Sequence, residues 1–365
     1  MKKSHLNIQY NFIQNMKVLM VGTYAINRQP KSLILKEGLK YFGVTVDTAI
    51  YQDRFKYLKI IKSLLTDNYD VIFATGHYVL LLAKIFSRKP VLYDIYISAH
   101  DTLVLDRKLY NKNSFIAKLI FFLDKLTCKI ADVVTIDTKE YAKYFVKNYG
   151  LNPSKVKVIY LGAYDKKFHP FNRVKKNQRF TILFHGTFIP VHGIEYIIKA
   201  AKLLEKHQDI NFILIGKGQT RDQMKNLIIT HNVTNVTLPG YYSDDKLINA
   251  IASSDICLGM FGITPKNPRV ISNKVFEYLA MKKPLVTGDC PATREFLISG
   301  ENCILCKPGS PKSLADAILQ LKNNPKMMAK ISVNGYNLFK ERFSIEKTSQ
   351  IAKEVLEYTV NYGLK

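Results

Sequence analysis

Acidic side chains are scarce in this sequence. Its 365 residues contain 54 Lys and Arg against 29 Asp and Glu, which gives a formal net charge of +25 and a pI near 9.6. This balance excludes an acidic soluble protein and predicts an anionic partner: nucleic acid, a phosphorylated substrate or an anionic lipid surface. Residues 1–176 carry 30 basic and 13 acidic side chains, so that half is expected to meet any such surface.

Cysteine is also rare. The chain has five cysteines, an odd number that argues against a secreted disulfide framework. Cys303 and Cys306 form one C-x-x-C, but no second Cys or His pair follows at zinc spacing. Because they lie in Asn302–Cys306, a predicted short buried strand, core packing is favoured over a metal site.

Long apolar runs are missing as well. The longest, 78–86 and 115–123, are interrupted by Lys84 and Lys118 and are too short for a membrane span of about 20 residues. No apolar core follows the basic start, so residues 1–15 are predicted to be a tail rather than a secretion signal. We expect a cytoplasmic chain, either free or peripheral on the inner face of the membrane.

Short aliphatic runs alternate with helical patterns, such as the one over 31–42, along the whole chain. The predicted strands are residues 18–21, 44–49, 71–74, 91–93, 133–136 and 156–160, and then 180–184, 212–215, 236–238, 256–258 and 285–286. Aliphatic strands separated by helices predict parallel sheets that are covered on both faces.

The pattern starts twice, at Val21-Gly22 and again at His185-Gly186. We therefore predict two doubly wound α/β domains, an N-terminal one over 16–165 and a C-terminal one over 179–344. Residues 166–178, rich in Lys, Asn and Pro, are the predicted linker. A last helix within 345–365 is expected to join the N-terminal domain.

Several catalytic signatures are absent. Gly216-Lys217-Gly218 follows a strand but lacks the third glycine of a dinucleotide fingerprint, and there is no P-loop, no nucleophile elbow and no D-x-D for a metal-bound diphosphate. Glycine turns do open onto helices, from Gly186 to Gly193 and from Gly216 to Gly218. Free N–H groups and the helix dipole make such turns anion sites. The alternative is that these glycines only let the chain turn.

The segment 269–280 is the most informative. Arg269 precedes a predicted helix and Lys274 opens it, where cations oppose the helix dipole unless an anion binds between them. An ion pair between Lys274 and Glu277 on the surface is the alternative. We favour the anion-binding interpretation.

An ordered set of motifs resembles glycosyltransferase family 4, the retaining nucleotide-sugar enzymes of the GT-B fold. These motifs are His185–Glu195, Ile215–Gly218, Leu238–Tyr241, Asn273–Ala280 and Lys283–Val286, preceded by Asp94–Ser98, Asp101-Thr102, Asp106-Arg107 and Tyr160–Asp165. The resemblance covers residues 16–360 and implies two Rossmann-like domains that face each other across a cleft.

The resemblance also implies a donor site. Glu277 would bind the ribose, Lys274 would reach the diphosphate, and Tyr241 would lie at the nucleobase. The remaining donor residues are Gly186, Thr187, His192, Gly193, Gly216, Lys217 and Val275. The chain departs from the family where the phosphate-binding Arg and Lys fall on Thr187 and His192, and where the first Glu of the family motif falls on Arg269. Arg269 is therefore expected to supply a missing cation.

On the acceptor side the resemblance implies Gly22, Asp94 and Asp101. The catalytic set is Asp101 and His100, which would orient the acceptor hydroxyl, with Lys274 and Arg269 at the leaving group. A loop histidine followed by an Asp helix cap is the alternative for His100 and Asp101. His77 and His169 are expected to be structural.

The predicted activity is transfer of a sugar from a nucleoside-diphosphate sugar to a glycan or lipid-linked acceptor, with retention and without metal or cofactor.

A helix over 115–129 is expected to bury Ile116, Leu119, Ile120 and Leu123. Its opposite face, with Lys118, Lys125 and Lys129, would meet an anionic membrane or only solvent.

A nucleotide-sugar epimerase of the same fold is the alternative activity. A nucleic-acid-binding protein is disfavoured because the cations are dispersed.

Overall fold

The computed structural model describes residues 16–23, 30–66, 68–171 and 177–363, which form two compact units. Unit 1 contains the described residues up to 100, with 110–162 and 345–363; unit 2 contains 101–109 and the described part of 163–344. The predicted tail 1–15 and residues 172–176 of the predicted linker lie outside the described residues. Among the described residues, no helix combines the length and apolarity that crossing a membrane requires.

Unit 1 is built on a parallel sheet of six strands in the order β2-β1-β3-β4-β5-β6. The strands are β1 (Lys17–Gly22), β2 (Thr45–Ile50), β3 (Val71–Thr75), β4 (Val91–Asp94), β5 (Val133–Ile136) and β6 (Val156–Val158). Helices cover both faces, which is why β3, β4 and β5 are buried along their whole length. The direction of winding changes between β1 and β3, and ligands bind α/β sheets at the carboxyl ends of strands at such a point.

In the part of the chain that the structure describes, six α-helices cover this sheet. They are α1 (Pro30–Gly38), α2 (Lys56–Leu64), α3 (His77–Phe86), α4 (Phe115–Ile130), α5 (Lys139–Tyr149) and the carboxy-terminal α12 (Ile345–Gly363). Because β-α-β crossovers are right-handed, α2 to α5 lie on one face and α1 on the other. Helix α12 packs beside α1, and its Ala352 and Leu356 join the core around Phe73. The helix predicted over 31–42 ends at Gly38 and continues as a 3₁₀ turn, Leu39–Phe42.

The predicted buried stripe of α4 is wrong for two of its four residues, whereas the other two, Ile120 and Leu123, are half-buried. Ile116 and Leu119, expected in the core, are 47% and 44% exposed, whereas Asp124 is buried. The residues of α4 that face the protein are Ala117, Asp124, Thr127 and Cys128. The buried side includes a polar group because Asp124 accepts hydrogen bonds from several groups beneath the helix, and Ile116 and Leu119 are left on the outside.

Unit 2 has a second parallel sheet, in the order β12-β11-β10-β7-β8-β9. Its strands are β7 (Phe180–His185), β8 (Ile210–Ile215), β9 (Val236–Gly240), β10 (Ile256–Leu258), β11 (Leu285–Gly288) and β12 (Ile304–Cys306). Its helices are α6 (Ile194–Leu203), α7 (Arg221–Thr230), α8 (Asp244–Ser253), α9 (Asn273–Ala280), α10 (Pro311–Lys322) and α11 (Pro325–Arg342). Here the winding changes direction between β7 and β10.

The predicted fold class, α/β with two doubly wound parallel sheets, is confirmed. Each of the eleven predicted strands occurs, with its ends shifted by at most two residues. The predicted buried strand at the C-x-x-C is β12, and both Cys303 and Cys306 are buried in the core.

Candidate functional site

In unit 2 the predicted donor residues gather where β7 ends and α9 begins. Gly186 follows β7 with a φ of +142°, and a Cβ built on it would lie 2.9 Å from Lys274 Cε and 3.1 Å from its Nζ. The lysine head therefore rests directly on the glycine backbone. Any larger residue at position 186 would displace it.

Lys274, the second residue of α9, carries its ammonium into a buried position. Its Nζ lies 3.0 Å from His192 Nε2, donates to Ser272 Oγ at 3.2 Å, and stands 4.9 Å from the centre of the Phe184 ring. Burial lowers the pKa of Lys274 to about 7, although the charge of Glu277 acts in the opposite direction. Because the side chain is buried, the alternative of a surface ion pair with Glu277 is wrong.

His192 orients this lysine. Its Nδ1 lies 2.5 Å from the carbonyl oxygen of Thr187, which identifies Nδ1 as the protonated nitrogen and leaves Nε2 to accept from Lys274. Burial, together with the neighbouring charge of Lys274, lowers the pKa of His192 well below its usual value. The imidazole is therefore neutral, accepts a hydrogen bond from Lys274 and fixes the position of its ammonium group.

Glu277 lies one turn after Lys274 on the same helix. One of its carboxylate oxygens is 2.9 Å from His185 Nε2, and both side chains are largely buried. The backbone N–H of His185 donates to the Tyr278 hydroxyl at 3.1 Å, so the end of β7 is tied to α9. These contacts hold a carboxylate and an ammonium side by side at one edge of the sheet.

The other predicted donor residues surround this pair less closely. Gly193 begins α6 with a φ of +63°, and a Cβ there would lie 2.4 Å from the backbone nitrogen of Gly262, just beyond β10. Lys217 lies 5.3 Å from the centre of the exposed Tyr241 ring. The turn at Gly216 is tied to the end of β9, and Val275 is buried in the core side of α9.

Gly186 and the polar side chains that contact Lys274 lie beyond the carboxyl ends of β7 and β10, where the winding of the sheet changes direction, whereas Lys217 and Tyr241 follow β8 and β9. Such a point, with the free N–H groups of a helix start, suits an anionic ligand. A buried lysine whose charge is unfavourable without a partner strengthens that preference. The arrangement therefore favours binding of a phosphate group.

Arg269 and Asp101, predicted on opposite sides of the site, are paired. Arg269 Nη2 donates to Asp101 Oδ1 at 2.5 Å, and Asp101 is fully buried. Asp101 begins a π-helical turn, Asp101–Asp106, that belongs to unit 2, and Lys266 Nζ donates to Thr102 Oγ1 at 2.8 Å. Two cations of unit 2 therefore hold this segment. The adjacent His100 belongs to unit 1, where its ring packs on Phe121.

Unit 1 has a cavity of about 390 Å³ at the carboxyl ends of β3 and β4. Predicted Asp94 lines it, and predicted Gly22 lies beside it, because a Cβ on Gly22 would be 2.5 Å from Thr75 Oγ1. The lining residues are Pro30, Lys31, Ser32, Thr75, Gly76, His77, Tyr93, Asp94, Ile95, Tyr96, Ile97 and Ala99. A mainly apolar wall with a few convergent polar groups is typical of a ligand site.

The charged floor of this cavity was not expected from the sequence. Buried Lys31 Nζ lies 2.8 Å from Asp94 Oδ1 and 3.2 Å from Asp137 Oδ1, and Thr135 Oγ1 also donates to Asp94. Burial lowers the pKa of Lys31, but the two carboxylates outweigh burial and raise it. The three side chains thus form a fixed, buried cluster in which one ammonium is shared by two carboxylates.

His77 was expected to be structural, yet it lines the cavity. Its Nε2 lies 2.6 Å from Asp124 Oδ1, and this buried carboxylate also accepts from Ser98 Oγ at 2.7 Å and from the His100 backbone N–H at 2.9 Å. The signal in the sequence is the position of His77 after Gly76, at the end of a strand. Its partner, 47 residues away, gives no such signal.

A model of the group 1 glycosyl transferases matches residues 165–338, and a model of glycosyltransferase family 4 matches residues 35–165. The two matches together cover more than four fifths of the chain. This chain belongs to glycosyltransferase family 4. Its two doubly wound units are those of the GT-B fold.

Individual relatives of this family 4 chain agree. It is 28% identical to an uncharacterized glycosyltransferase of Methanocaldococcus jannaschii, over 48% of this chain and 47% of that protein. It is 25% identical to the capsular polysaccharide biosynthesis glycosyltransferase CapM of Staphylococcus aureus, over 55% and 50%. The chain thus spans about half the length of these curated relatives. HepE of Anabaena, crystallised with UDP and glucose, has the same fold, with a TM-score of 0.73, 18% identity, and coverage of 94% and 100%.

The family assignment gives the Lys274 contact a further meaning. The resemblance aligns His192 with the phosphate-binding lysine of the family, and the structure brings Lys274 from α9 against His192. A lysine head is therefore present beside the aligned position, although a different element supplies it. Likewise, the aligned first Glu of the family motif is Arg269, and a carboxylate reaches it from Asp101.

Proposed function

We propose that this glycosyltransferase transfers a sugar from a nucleoside-diphosphate sugar to a hydroxyl of a glycan or lipid-linked acceptor, with retention and without a metal ion. CapM is a glycosyltransferase of capsular polysaccharide biosynthesis, and HepE has been crystallised with UDP and glucose. These relatives support assembly of an envelope or extracellular polysaccharide. We include a cytoplasmic location at the inner face of the membrane in this proposal.

The observation that carries the proposal is the buried Lys274 on Gly186 and His192. Departure of a diphosphate places negative charge at this edge of the sheet. A protonated Lys274 and the start of α9 stabilise that charge in a site screened from water, where such groups contribute most. The charge is supplied by side chains and backbone, which is why no metal ion is invoked.

The reaction proceeds on one face of the sugar. The bond between the anomeric carbon and the diphosphate oxygen breaks, and its electron pair stays on the diphosphate. The acceptor oxygen bonds to the anomeric carbon on the same face, and its proton passes to the departing diphosphate oxygen. Configuration is retained without a covalent enzyme intermediate, which agrees with a sequence that has no evident nucleophile.

We assign the acceptor to the cavity of unit 1. Its volume suits a sugar-sized group, and its apolar wall suits the lipid portion of a linked acceptor. His77, held by Asp124, is placed to hydrogen-bond an acceptor hydroxyl, while the Lys31 triad keeps the floor of the cavity rigid. This division leaves the donor to unit 2.

A nucleotide-release assay with UDP-, GDP-, ADP- and TDP-sugars and mixed acceptors tests the proposal. Lys274→Ala should lower release by roughly 100- to 1,000-fold, as removal of one charge-stabilising group does elsewhere. Glu277→Ala should mainly raise the donor KM, because ribose binding is lost equally in ground and transition states. Lys225→Ala, an exposed lysine of α7, is the matched control and should change nothing.

Two outcomes would contradict the proposal. Unchanged turnover in both Lys274→Ala and Glu277→Ala would show that the donor site lies elsewhere. Formation of an epimeric nucleotide sugar without any acceptor would instead identify an epimerase. Product anomeric configuration, measured by NMR, decides between retention and inversion.

A further inference from the structure

Three neighbouring helices of unit 1 expose large apolar side chains on one face of the sheet. Helices α2, α3 and α4 follow one another there, with α2 against α3 and α3 against α4. The most exposed apolar residues include Leu58, Leu65, Tyr78, Ile85, Phe115 and Phe122. Phe115 is 79% exposed and Ile85 71% exposed. A soluble protein rarely leaves so many large apolar groups together unless something covers them.

The exposed groups form stripes along the helices. On α4, Phe115, Leu119 and Phe122 recur at spacings of four and three residues, so they lie on one side of the helix. On α3, Tyr78 and Ile85 are seven residues apart and share a side. The opposite sides of both helices are buried against the sheet. The stripes therefore form one outer face, which we call the α2–α4 face.

The exposed charges of the three helices themselves have one sign. The three helices contain seven lysines and a single acid, Asp124, which is buried beneath α4. Lys118 and Lys129 are exposed beside the apolar stripe of α4. Lys59 and Lys84 are paired with Asp53 and Asp132, so the remaining lysines dominate the outer potential. Lysines beside exposed aromatic and aliphatic groups are typical of proteins that lie on anionic membranes.

We propose that the α2–α4 face docks on an anionic lipid bilayer. The apolar side chains enter the headgroup region, and the lysines meet lipid phosphates. A second copy of the chain fits this face poorly, because pairing would bring two sets of lysines together, whereas the centres of protein interfaces are depleted of charge. The bilayer satisfies both the apolar stripe and the positive charge.

Docking also places the acceptor cavity near lipid, a consequence that rests on the proposed transferase function. Helix α3 begins at the cavity with His77, and its next residue, Tyr78, belongs to the α2–α4 face. A lipid-linked acceptor held in the bilayer would then reach the cavity along α3. The docking itself does not depend on the identity of the donor.

Sedimentation of the full chain with sucrose-loaded vesicles tests the proposal, with phosphatidylcholine alone compared with a 7:3 mixture of phosphatidylcholine and phosphatidylglycerol. We expect binding to the anionic vesicles, weaker binding in high salt, and little binding to phosphatidylcholine. Phe115→Ser with Leu119→Ser, and separately Lys118→Glu with Lys129→Glu, should each weaken binding roughly tenfold or more. Ile229→Ser, a 76% exposed apolar residue of α7, is the matched control and should bind like the parent.

Thermal melting first establishes that every variant is folded. The proposal is overturned if the chain does not bind anionic vesicles, if neither α4 variant weakens binding, or if Ile229→Ser weakens it equally. It is also overturned if the chain does not bind vesicles and light scattering instead shows a dimer that is dissociated by the double substitution Phe115→Ser and Leu119→Ser. Nucleotide release in the absence of vesicles should be the same in the α4 variants as in the parent. A chain that binds vesicles but releases no nucleotide would contradict the proposed function and leave the docking intact.

Discussion

Binding of a nucleoside diphosphate to unit 2 should take up a proton, because Lys274 is the cation nearest the proposed phosphate position. Its pKa is lowered to about 7 by burial, so the free protein at pH 8 carries this charge in only about one molecule in ten. A bound diphosphate favours the charged form and raises the pKa again. The ionisable side chains near Lys274 are His192 and Glu277, and Glu277 is paired with His185. His192 stays neutral because its pKa is lowered further.

The size of the effect follows from that pKa. If only the protonated lysine binds well, the apparent Kd for UDP should rise about tenfold per pH unit between 7.5 and 9. At pH 8 close to 0.9 proton, on the order of one, should be taken up per UDP bound. UDP itself is fully ionised in this range, since its terminal phosphate titrates near pH 6. The pH dependence of the Kd in this range therefore reports a titration in the protein and not one in UDP.

Isothermal titration with UDP in HEPES and in Tris, whose ionisation enthalpies differ, measures this proton directly. Lys274→Arg is the decisive variant, because arginine stays charged at every pH used. It should bind UDP with little proton uptake and a flat pH profile from 7 to 9. Equal proton uptake in Lys274→Arg and the parent, or a parent Kd that does not change from pH 7 to 9, would refute the reasoning.

Three further predictions concern other contacts. Gly186→Ala adds a Cβ 2.9 Å from Lys274 Cε at a φ of +142°. Thermal melting should therefore show a destabilisation of about 1–3 kcal/mol, and titration with UDP should show weaker binding. An unchanged Kd for UDP would contradict the contact. Asp101→Asn removes the carboxylate paired with the largely buried Arg269 and should lower the free energy of unfolding, measured in urea, by about 3–5 kcal/mol. Adding Arg269→Met should restore much of that loss. Additive effects of the two substitutions would exclude coupling between the side chains. His77→Gln should lower transfer to acceptor while UDP binding to unit 2 stays as in the parent, and a matching loss of UDP affinity would argue against an acceptor role.

The two sheets explain why both candidate sites lie where they do. In each unit the winding changes direction once among the described strands, between β1 and β3 and between β7 and β10. The cavity with Asp94 lies by the first of these points and the Lys274 pair by the second. The same topological feature thus carries two different environments, a mainly apolar cavity in unit 1 and a buried lysine in unit 2.

The sequence alone determined the strands and the position of Lys274. A parallel strand that is buried on both faces is hydrophobic along nearly its whole length, so β3, β5 and β7 are visible as short runs of Val, Ile, Leu and Phe. The start of α9 can also be recognised from neighbouring residues alone, because Lys274 opens a helical pattern within a few positions of Val270 and Ile271. Motifs of this kind also carried the family resemblance.

Only the tertiary structure decided which groups meet. Asp101 and Arg269 are 168 residues apart, and no local pattern announces that the turn beginning at Asp101 belongs to unit 2. Helical periodicity in α4 identifies an apolar stripe around Leu119, but periodicity does not tell which side the sheet will cover. The buried hydrogen bonds of Asp124 turn that stripe outward. Spacing along the chain determines local shape, whereas burial and pairing depend on what distant segments bring to the same place.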